Sequence, residues 1–433
     1  MNTAGTRRSR AIPPALQRRR VFRNGPFRRL WAIGSINSTM RWLETLAIGI
    51  FVFDQTESAF LVSLIAFLRM VPMLVLGVFI GIVADRLNRR QMLIAGAGLL
   101  TVNYLVLGLL AVTDNLQLWH IAAGTLFTGI VWASDFPVRR AMVGDAVGQD
   151  LVGVAMGMDS ATNNFTRIIG PVAGGALLAF IGVEGAYFAG TILFGAGLLL
   201  ALTIDYTEPS HEGSSANPLA NMVEGFRYIR SDSVIMVTLV ITVVMNLFAF
   251  PYQHMVPVMG EEVFRVNPIL IGLITSVEGL GATLGALTIA LRSRPQHYTR
   301  IYLYGSIVFL VVILLFSRTP WYIAALPLLF IGGFGMASFG TMQSVIVLAA
   351  TPPAVRGRVM GVLAVTIGAG PIGALNIGLL ATLFGAPAGI MIISLVGLAT
   401  LSLTVLLSPQ FVRARDIRPN ANSAKAAVIT GGR

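Results

Sequence analysis

Twelve long apolar stretches, separated by only a few polar residues each, leave this chain one environment in which to fold. The hydrocarbon core of a bilayer needs about 20 mostly apolar residues per crossing helix. Such stretches run at roughly 30–53, 59–84, 91–113, 117–138, 154–181, 184–205, 233–258, 268–291, 300–317, 321–350, 357–383 and 386–408. Charged residues make up 12% of the 433 positions and hydrophobic ones 55%, whereas a soluble domain carries roughly a quarter charged residues. The fold class expected is therefore all-α and integral to the membrane, with twelve transmembrane helices.

A net charge of +12 would suit nucleic acid, but its placement does not. The basic residues crowd into alternate short loops, which is the orientation signal of a membrane protein. With the N-terminus in the cytoplasm, the opposite loops hold only Arg265 and Arg318 as cations, and carry Asp54, Glu57, Asp114, Glu184, Glu261 and Glu262. Shifting the count by one span scrambles this bias. The sequence thus predicts a multi-pass protein of the inner (cytoplasmic) membrane with both termini cytoplasmic, and no nucleic-acid partner. No cleavable signal peptide is evident, because the Arg-rich start has no apolar segment before the first full span. There are no cysteines, and the scattered histidines offer no metal-ligand spacing, so no metal site is expected.

The chain divides in the middle. Residues 1–29 read as a basic cytoplasmic segment, 30–205 as an N-terminal six-helix bundle, 206–232 as a cytoplasmic linker, 233–409 as a C-terminal six-helix bundle and 410–433 as a tail. Within the linker, Met222, Val223, Phe226 and Ile229 share one face of a short amphipathic helix expected to lie along the membrane surface. The halves echo each other: AMGMDSATNNFTRIIGPVAGGALLAFIG ends the fifth span and VMGVLAVTIGAGPIGALNIGLLATLFG the eleventh. Gly157 aligns with Gly361, Gly175 with Gly378 and Gly182 with Gly385. Such a repeat implies two pseudo-symmetric bundles around a central path.

Between spans two and three stands Gly81-Ile-Val-Ala-Asp85-Arg86-Leu-Asn88-Arg89-Arg90. This resembles the G-x-x-x-D-R-x-G-R-R signature of the major facilitator superfamily, in the loop where that family places it. Asn88 stands where the family has Gly, and Asn tolerates the left-handed conformation. The resemblance implies a conformational latch. Asp85 would face the N-terminal end of the eleventh span near Arg356-Gly357-Arg358, and Arg89 would pair with Asp135 at the end of span four. Read from the residues alone, Arg86, Arg89 and Arg90 serve equally as orientation signals. FRRLW before span one, Trp42-Leu-Glu-Thr-Leu within it and Ala354-Val-Arg-Gly-Arg-Val-Met-Gly361 before span eleven resemble a bacterial branch containing enterobactin-exporter-like and macrolide-efflux-like proteins. Lysophospholipid transporters are also similar. In span five, Gly157 and Gly170-Pro171-x-x-Gly174-Gly175 resemble the antiporter motif of exporting members, with Thr166 replacing one of its glycines. Small-residue helix packing is the alternative reading.

Ionisable residues inside a membrane are costly and mark function by default. Arg41 and Glu44 lie three apart in the first span, within pairing reach. Arg69 lies in the second, and Glu278 stands mid-span in the eighth with no partner in its own helix. Asp159, Asn163 and Arg167 form one stripe of the fifth. Glu44 and then Glu278 are the candidate proton carriers, since a carboxyl gains a proton when desolvated and loses it beside a cation. The alternative is a permanent ion pair. Arg69 and Arg167 either bind anionic substrate groups or neutralise Glu44 and Asp159. Phe248, Phe250, Tyr252, Met255 and Phe339 could line an apolar cavity, and Asn246, His254, Gln343 and Asn376 are candidate cavity polars. No catalytic constellation and no nucleotide-binding loop is present, so neither an enzyme nor direct use of ATP is expected. The expected activity is proton-driven export of a small drug-like or siderophore-like compound by a monomeric protein in contact with membrane lipids, with the proton gradient in place of any cofactor. Uptake or lysophospholipid flipping is the alternative within the same fold.

Overall fold

The computed structural model describes residues 14–84, 88–148, 151–206, 218–352 and 355–413, the side chains of 14–18, 76–84, 136, 218–224 and 412–413 excepted. Among these residues every regular element is helical. A short α1 (Pro14–Arg23) precedes α2 (Gly25–Thr56), α3 (Ala59–Ala84), α4 (Arg89–Val112), α5 (Leu118–Val147), α6 (Val152–Phe180) and α7 (Val183–Leu202). These six long helices form the N-terminal bundle. The linker contributes α8 (Pro218–Ser231). The seventh span is α9 (Ser233–Phe248), followed by a 3₁₀ turn at Phe250–Met255, a single turn α10 (Val256–Val258) and a π-helical end at Met259–Phe264. Then come α11 (Pro268–Arg292), α12 (Tyr298–Arg318) and α13 (Tyr322–Ala350). The eleventh span is split into α14 (Arg356–Ile367) and α15 (Gly370–Phe384), and α16 (Ala386–Leu407) and α17 (Pro409–Arg413) close the chain.

Nine of these spans are long and apolar enough to cross a membrane by length and hydropathy among the described residues, with Ala59–Val75 a shorter apolar stretch. The first and fifth spans are not among the nine. They are the helices that carry Arg41, Glu44, Asp159 and Arg167. Glu44, Asp159 and Arg167 are compensated by partners inside the protein, which a hydropathy window does not see.

Helix ends follow local chemistry. Asn24, Asn88, Asp232 and Asn267 cap α2, α4, α9 and α11 by accepting hydrogen bonds from backbone amides of the first turn, which satisfies donors that the helix leaves free. Asn88, at the position of the missing family glycine, is thus in extended backbone and acts as a cap. Gly182 and Gly385 sit at φ +97° and +83°, the left-handed side that glycine enters freely. Each turns a long helix straight into its successor.

The repeat read from sequence recurs as packing. Gly175 presses on the backbone carbonyl of Pro268, and Gly378 lies against Ser63 and the Phe60 Cα. These are equivalent contacts, α6 on α11 and α15 on α3, and both join the two halves. Gly157 and Gly361 both face open space. Among the described residues, the close glycine contacts between the halves run from the middle of the bundle to the end holding the turns at 57–58, 181–182, 265–267 and 385. They include Gly49 on Pro257, Gly272 on the Pro171 carbonyl, Gly279 on Arg167 and Gly370 on Met70. The structure is closed at that end.

The linker forms a helix where one was expected, and of the four residues read as its apolar face the side chains of Met222 and Val223 lie outside the described residues. Ile229 is fully buried among Val347, Val355 and Val359, while Phe226 is exposed, with Arg230 beside its ring. Three apart, the two lie on the same side of the helix, Ile229 turned into the protein and Phe226 at the open edge. The helix α8 docks on α14, where Gly225 lies against the Arg358 backbone, and does not merely float on a membrane surface.

Candidate functional site

Two helix breaks frame a cavity between the halves. At the seventh span, Pro251 has no backbone N–H to continue the ladder, and the chain tightens into the 3₁₀ turn. At the eleventh, Gly368-Ala369 separates α14 from α15, which begins with Gly370-Pro371. Broken helices at the membrane middle are where transporters of repeated fold form their sites. Phe250, Gln253 and His254 from the first break and Gly370 from the second line a cavity of about 200 Å³, with Arg41, Trp42, Glu44 and Arg69 from the other half.

The intramembrane charges are paired differently from the local spacing. Glu44, 5% exposed, accepts from Arg69 Nη1 at 2.6 Å, so its partner is on the neighbouring helix and not Arg41 one turn away. Arg41 instead lies 5.1 Å from the ring centres of both Trp42 and Trp132. Arg167 does not neutralise Asp159. It crosses to the other half, where its Nη2 donates to Glu278 Oε2 at 2.9 Å. Glu278 is only 1% exposed and also accepts from the Tyr252 hydroxyl at 2.5 Å and Gln253 Nε2 at 3.3 Å. A buried carboxylate needs such a set of partners to remain charged. Asp159 is held by Arg139 at 2.8 Å and Arg140 at 3.8 Å. Asn163, on the same stripe, enters neither pair.

Asp85 and Arg86 lie outside the described residues, and Gly81 lies near the end of α3. The expected pairing of Arg89 with Asp135 is corrected. Arg89 Nη1 donates to Asp145 at 2.9 Å and to the Tyr206 hydroxyl at 3.4 Å, and Tyr206 donates to Asp145 at 2.6 Å. Asp145 is ten residues further along α5, at its end and level with the start of α4, whereas Asp135 sits almost three turns deeper. Asp135 accepts from Asn37 at 2.8 Å and lies 3.9 Å from Arg139. Arg90 donates to the Leu202 carbonyl at 2.8 Å. Burial, then the hydrogen bond to Asp145, pushes the Tyr206 hydroxyl up to about 12, so it remains a donor at physiological pH.

The glycines of the fifth span pack it between two helices. Gly170 meets Trp42 Cβ and the Leu43 backbone, Gly174 meets Leu43, and Gly175 meets Pro268. Of the aromatic and Met candidates, Phe250 lines the cavity, while Tyr252, Met255 and Phe339 are core residues. Asn246 and His254 also line it. Gln343 donates to the Thr242 hydroxyl and Asn246 to the Thr242 carbonyl, so both serve a buried network. Sequence reading missed Trp132, Gln253, Arg139 and Asp145 as site residues. Only the adjacent Arg139-Arg140 pair at a span end carried a usable signal. Among the described residues no His, Asp or Glu cluster could hold a metal ion.

The family model described as transmembrane secretion effector matches residues 20–428. The staphyloferrin A transporter of Staphylococcus aureus is 22% identical over 84% of this chain and 91% of its own. The enterobactin exporter of Shigella boydii is 25% identical over 77% and 80%. A bacterial homologue of the human lysosomal transporter Spinster, solved in an inward-facing and unoccupied conformation, superposes with a TM-score of 0.70 at 16% identity, covering 90% of this chain and 97% of that one.

Proposed function

We propose, from the premise that this chain belongs to the transmembrane secretion effector family of the major facilitator superfamily, that it exports a small, partly apolar organic compound across the cytoplasmic membrane in exchange for protons. The chain is a multi-pass membrane transporter of small molecules, not an enzyme. The relatives named for staphyloferrin A and enterobactin make a siderophore-like compound one member of the proposed class, and a drug-like compound is another.

With both termini in the cytoplasm, the closed end of the bundle faces outward and the cavity is loaded from the cytoplasm. The observation that carries the coupling mechanism is the Arg167–Glu278 pair, buried and with one partner in each half. Release to the outside requires the halves to part at α6 and α11, which draws Arg167 away from Glu278. A carboxylate stripped of its cation in a poorly solvated site takes up a proton, and the outside supplies it. When the halves close again, Arg167 returns and favours loss of that proton to the cytoplasm through the cavity, which Gln253, a hydrogen-bond partner of Glu278, lines. The Glu44–Arg69 pair lies entirely within the N-terminal bundle and moves with it. Glu278 therefore takes precedence over Glu44 as the coupling carboxyl.

The test is transport in proteoliposomes of a mixed panel of neutral, cationic and anionic organic compounds, with and without an imposed pH gradient. Glu278→Gln is expected to abolish gradient-driven accumulation while leaving exchange at equal pH, and Glu44→Gln is expected to retain coupling. Full pH-driven transport by Glu278→Gln rules out the assignment.

A further inference from the structure

Of the three arginines in the middle of the membrane, two are already neutralised. Arg69 holds Glu44 and Arg167 holds Glu278. Arg41 stands at the middle of α2, on the cavity wall, and among the described residues no carboxylate lies within ion-pair distance of it. Its neighbours are the indole faces of Trp42 and Trp132, each 5.1 Å away. Indoles attract a cation but bring no counter-charge. Arg167 lies 4.9 Å from the same Trp42 ring, so a second cation, itself paired, flanks Arg41. The ionisable cavity lining, Arg41, Arg69 and Glu44, leaves one positive charge over when His254 is neutral. A lone cation at this depth is costly, and an arriving anion relieves that cost.

From this uncompensated charge we propose that the transported compound is an amphiphilic organic anion whose acid group binds Arg41. Its apolar body packs on Ile65, Met70 and Phe250 across the cavity. The guanidinium presents a planar fork of donors that matches a carboxylate in two parallel hydrogen bonds. Glu44 is held by its own cation, so among the described residues the anion meets no free carboxylate on the wall. The inference rests on the export reading for the word transported, but the site stands on geometry alone.

The experiment uses three matched probes of one shape, 2-naphthoate, 2-naphthamide and 2-naphthylmethylammonium. Binding to the purified full-length protein is followed by tryptophan fluorescence, since Trp42 and Trp132 flank the site, and efflux from proteoliposomes is measured in parallel. Naphthoate is expected to bind roughly tenfold or more tighter than the amide, the ratio for a hydrogen-bonded charge, and the ammonium weakest. Arg41→Gln is expected to erase the preference for the acid, and Arg41→Lys, which keeps the charge but not the fork, to keep part of it, which separates loss of charge from loss of fold. Equal binding of acid and amide, preference for the ammonium, no binding of naphthoate, or a preference that survives Arg41→Gln overturns the proposal. A protein that pumps neutral or cationic compounds of the mixed panel and ignores acids refutes the anion inference but keeps export. One that binds naphthoate through Arg41 yet moves no panel compound does the reverse.

Discussion

Replacing Gly175 with Ala tests whether the described state is held by the close approach of α6 to α11. A Cβ at Gly175 would overlap the Pro268 carbonyl oxygen and stand 2.7 Å from its carbon and 3.2 Å from the Ile269 Cα. Ordinary contact begins at 3.4 Å, so the carbon contact alone demands that the backbones separate by the difference of 3.4 and 2.7, 0.7 Å. Both sides are helix backbone, with no flexible side chain to yield. Overpacking of this kind costs about 1–3 kcal/mol. The cost falls only on the closed arrangement, because the contact is absent once the halves part. At 1.4 kcal/mol per factor of ten, the ratio of outward-closed to outward-open protein should fall roughly 5- to 150-fold. The chain has no cysteine, so a single Thr275→Cys on the cavity wall reports access without background. A membrane-impermeant maleimide outside intact cells should label Thr275→Cys slowly, and Gly175→Ala/Thr275→Cys at least about five times faster. Gly157→Ala, at a position that faces open space, is the control and should change nothing. An unchanged labelling rate in the Gly175 variant would refute the steric argument, and with it the identification of this interface as the outer gate.

Other pairs make further predictions. Glu44→Gln leaves Arg69, 18% exposed to the cavity, without its carboxylate. Thermal unfolding in detergent should show a loss of about 1–3 kcal/mol, below the 3–5 kcal/mol of a fully buried broken pair, and Glu44→Gln/Arg69→Gln should recover part of it. The exchange Arg167→Glu/Glu278→Arg should restore more outward closure, by the same maleimide assay, than either single variant; equal damage in all three would exclude a simple interhalf pair. By the same thermal unfolding, Asp145→Asn should cost about 0.5–1 kcal/mol, since the Arg89–Asp145 pair is partly exposed, and Asp135→Asn should disturb Arg139 and Asn37 while leaving Arg89 in place. A cysteine at Ser214, in the linker, should resist maleimide from outside intact cells, and ready labelling would reverse the orientation.

Lipid makes span count unusually legible, because every apolar helix must be about as long as the bilayer is thick. Span positions, the division into halves and the pairing of Gly175 with Gly378 and Gly182 with Gly385 could all be read from the chain, and so could the family. Local spacing also singled out Arg41, Glu44, Arg69, Asp159, Arg167 and Glu278, since charge inside a hydrophobic run is conspicuous. Arg69 as the cation of Glu44 was one of the alternatives it offered, and the structure holds that pair, but it matched Arg167 with Asp159 and left Arg41 within reach of Glu44. Spacing of three or four residues compares groups on one helix, whereas Glu44 found Arg69 on the next helix and Arg167 found Glu278 from 111 positions away. Asp145 displaced Asp135 as the partner of Arg89 because depth in the bundle, set by packing, decided which acid was level with it. The cavity arises only where two broken helices from one half meet two charged helices from the other. That Arg41 meets no carboxylate among the described residues is a property of the whole arrangement, decided when the neighbouring carboxylates were taken by other cations.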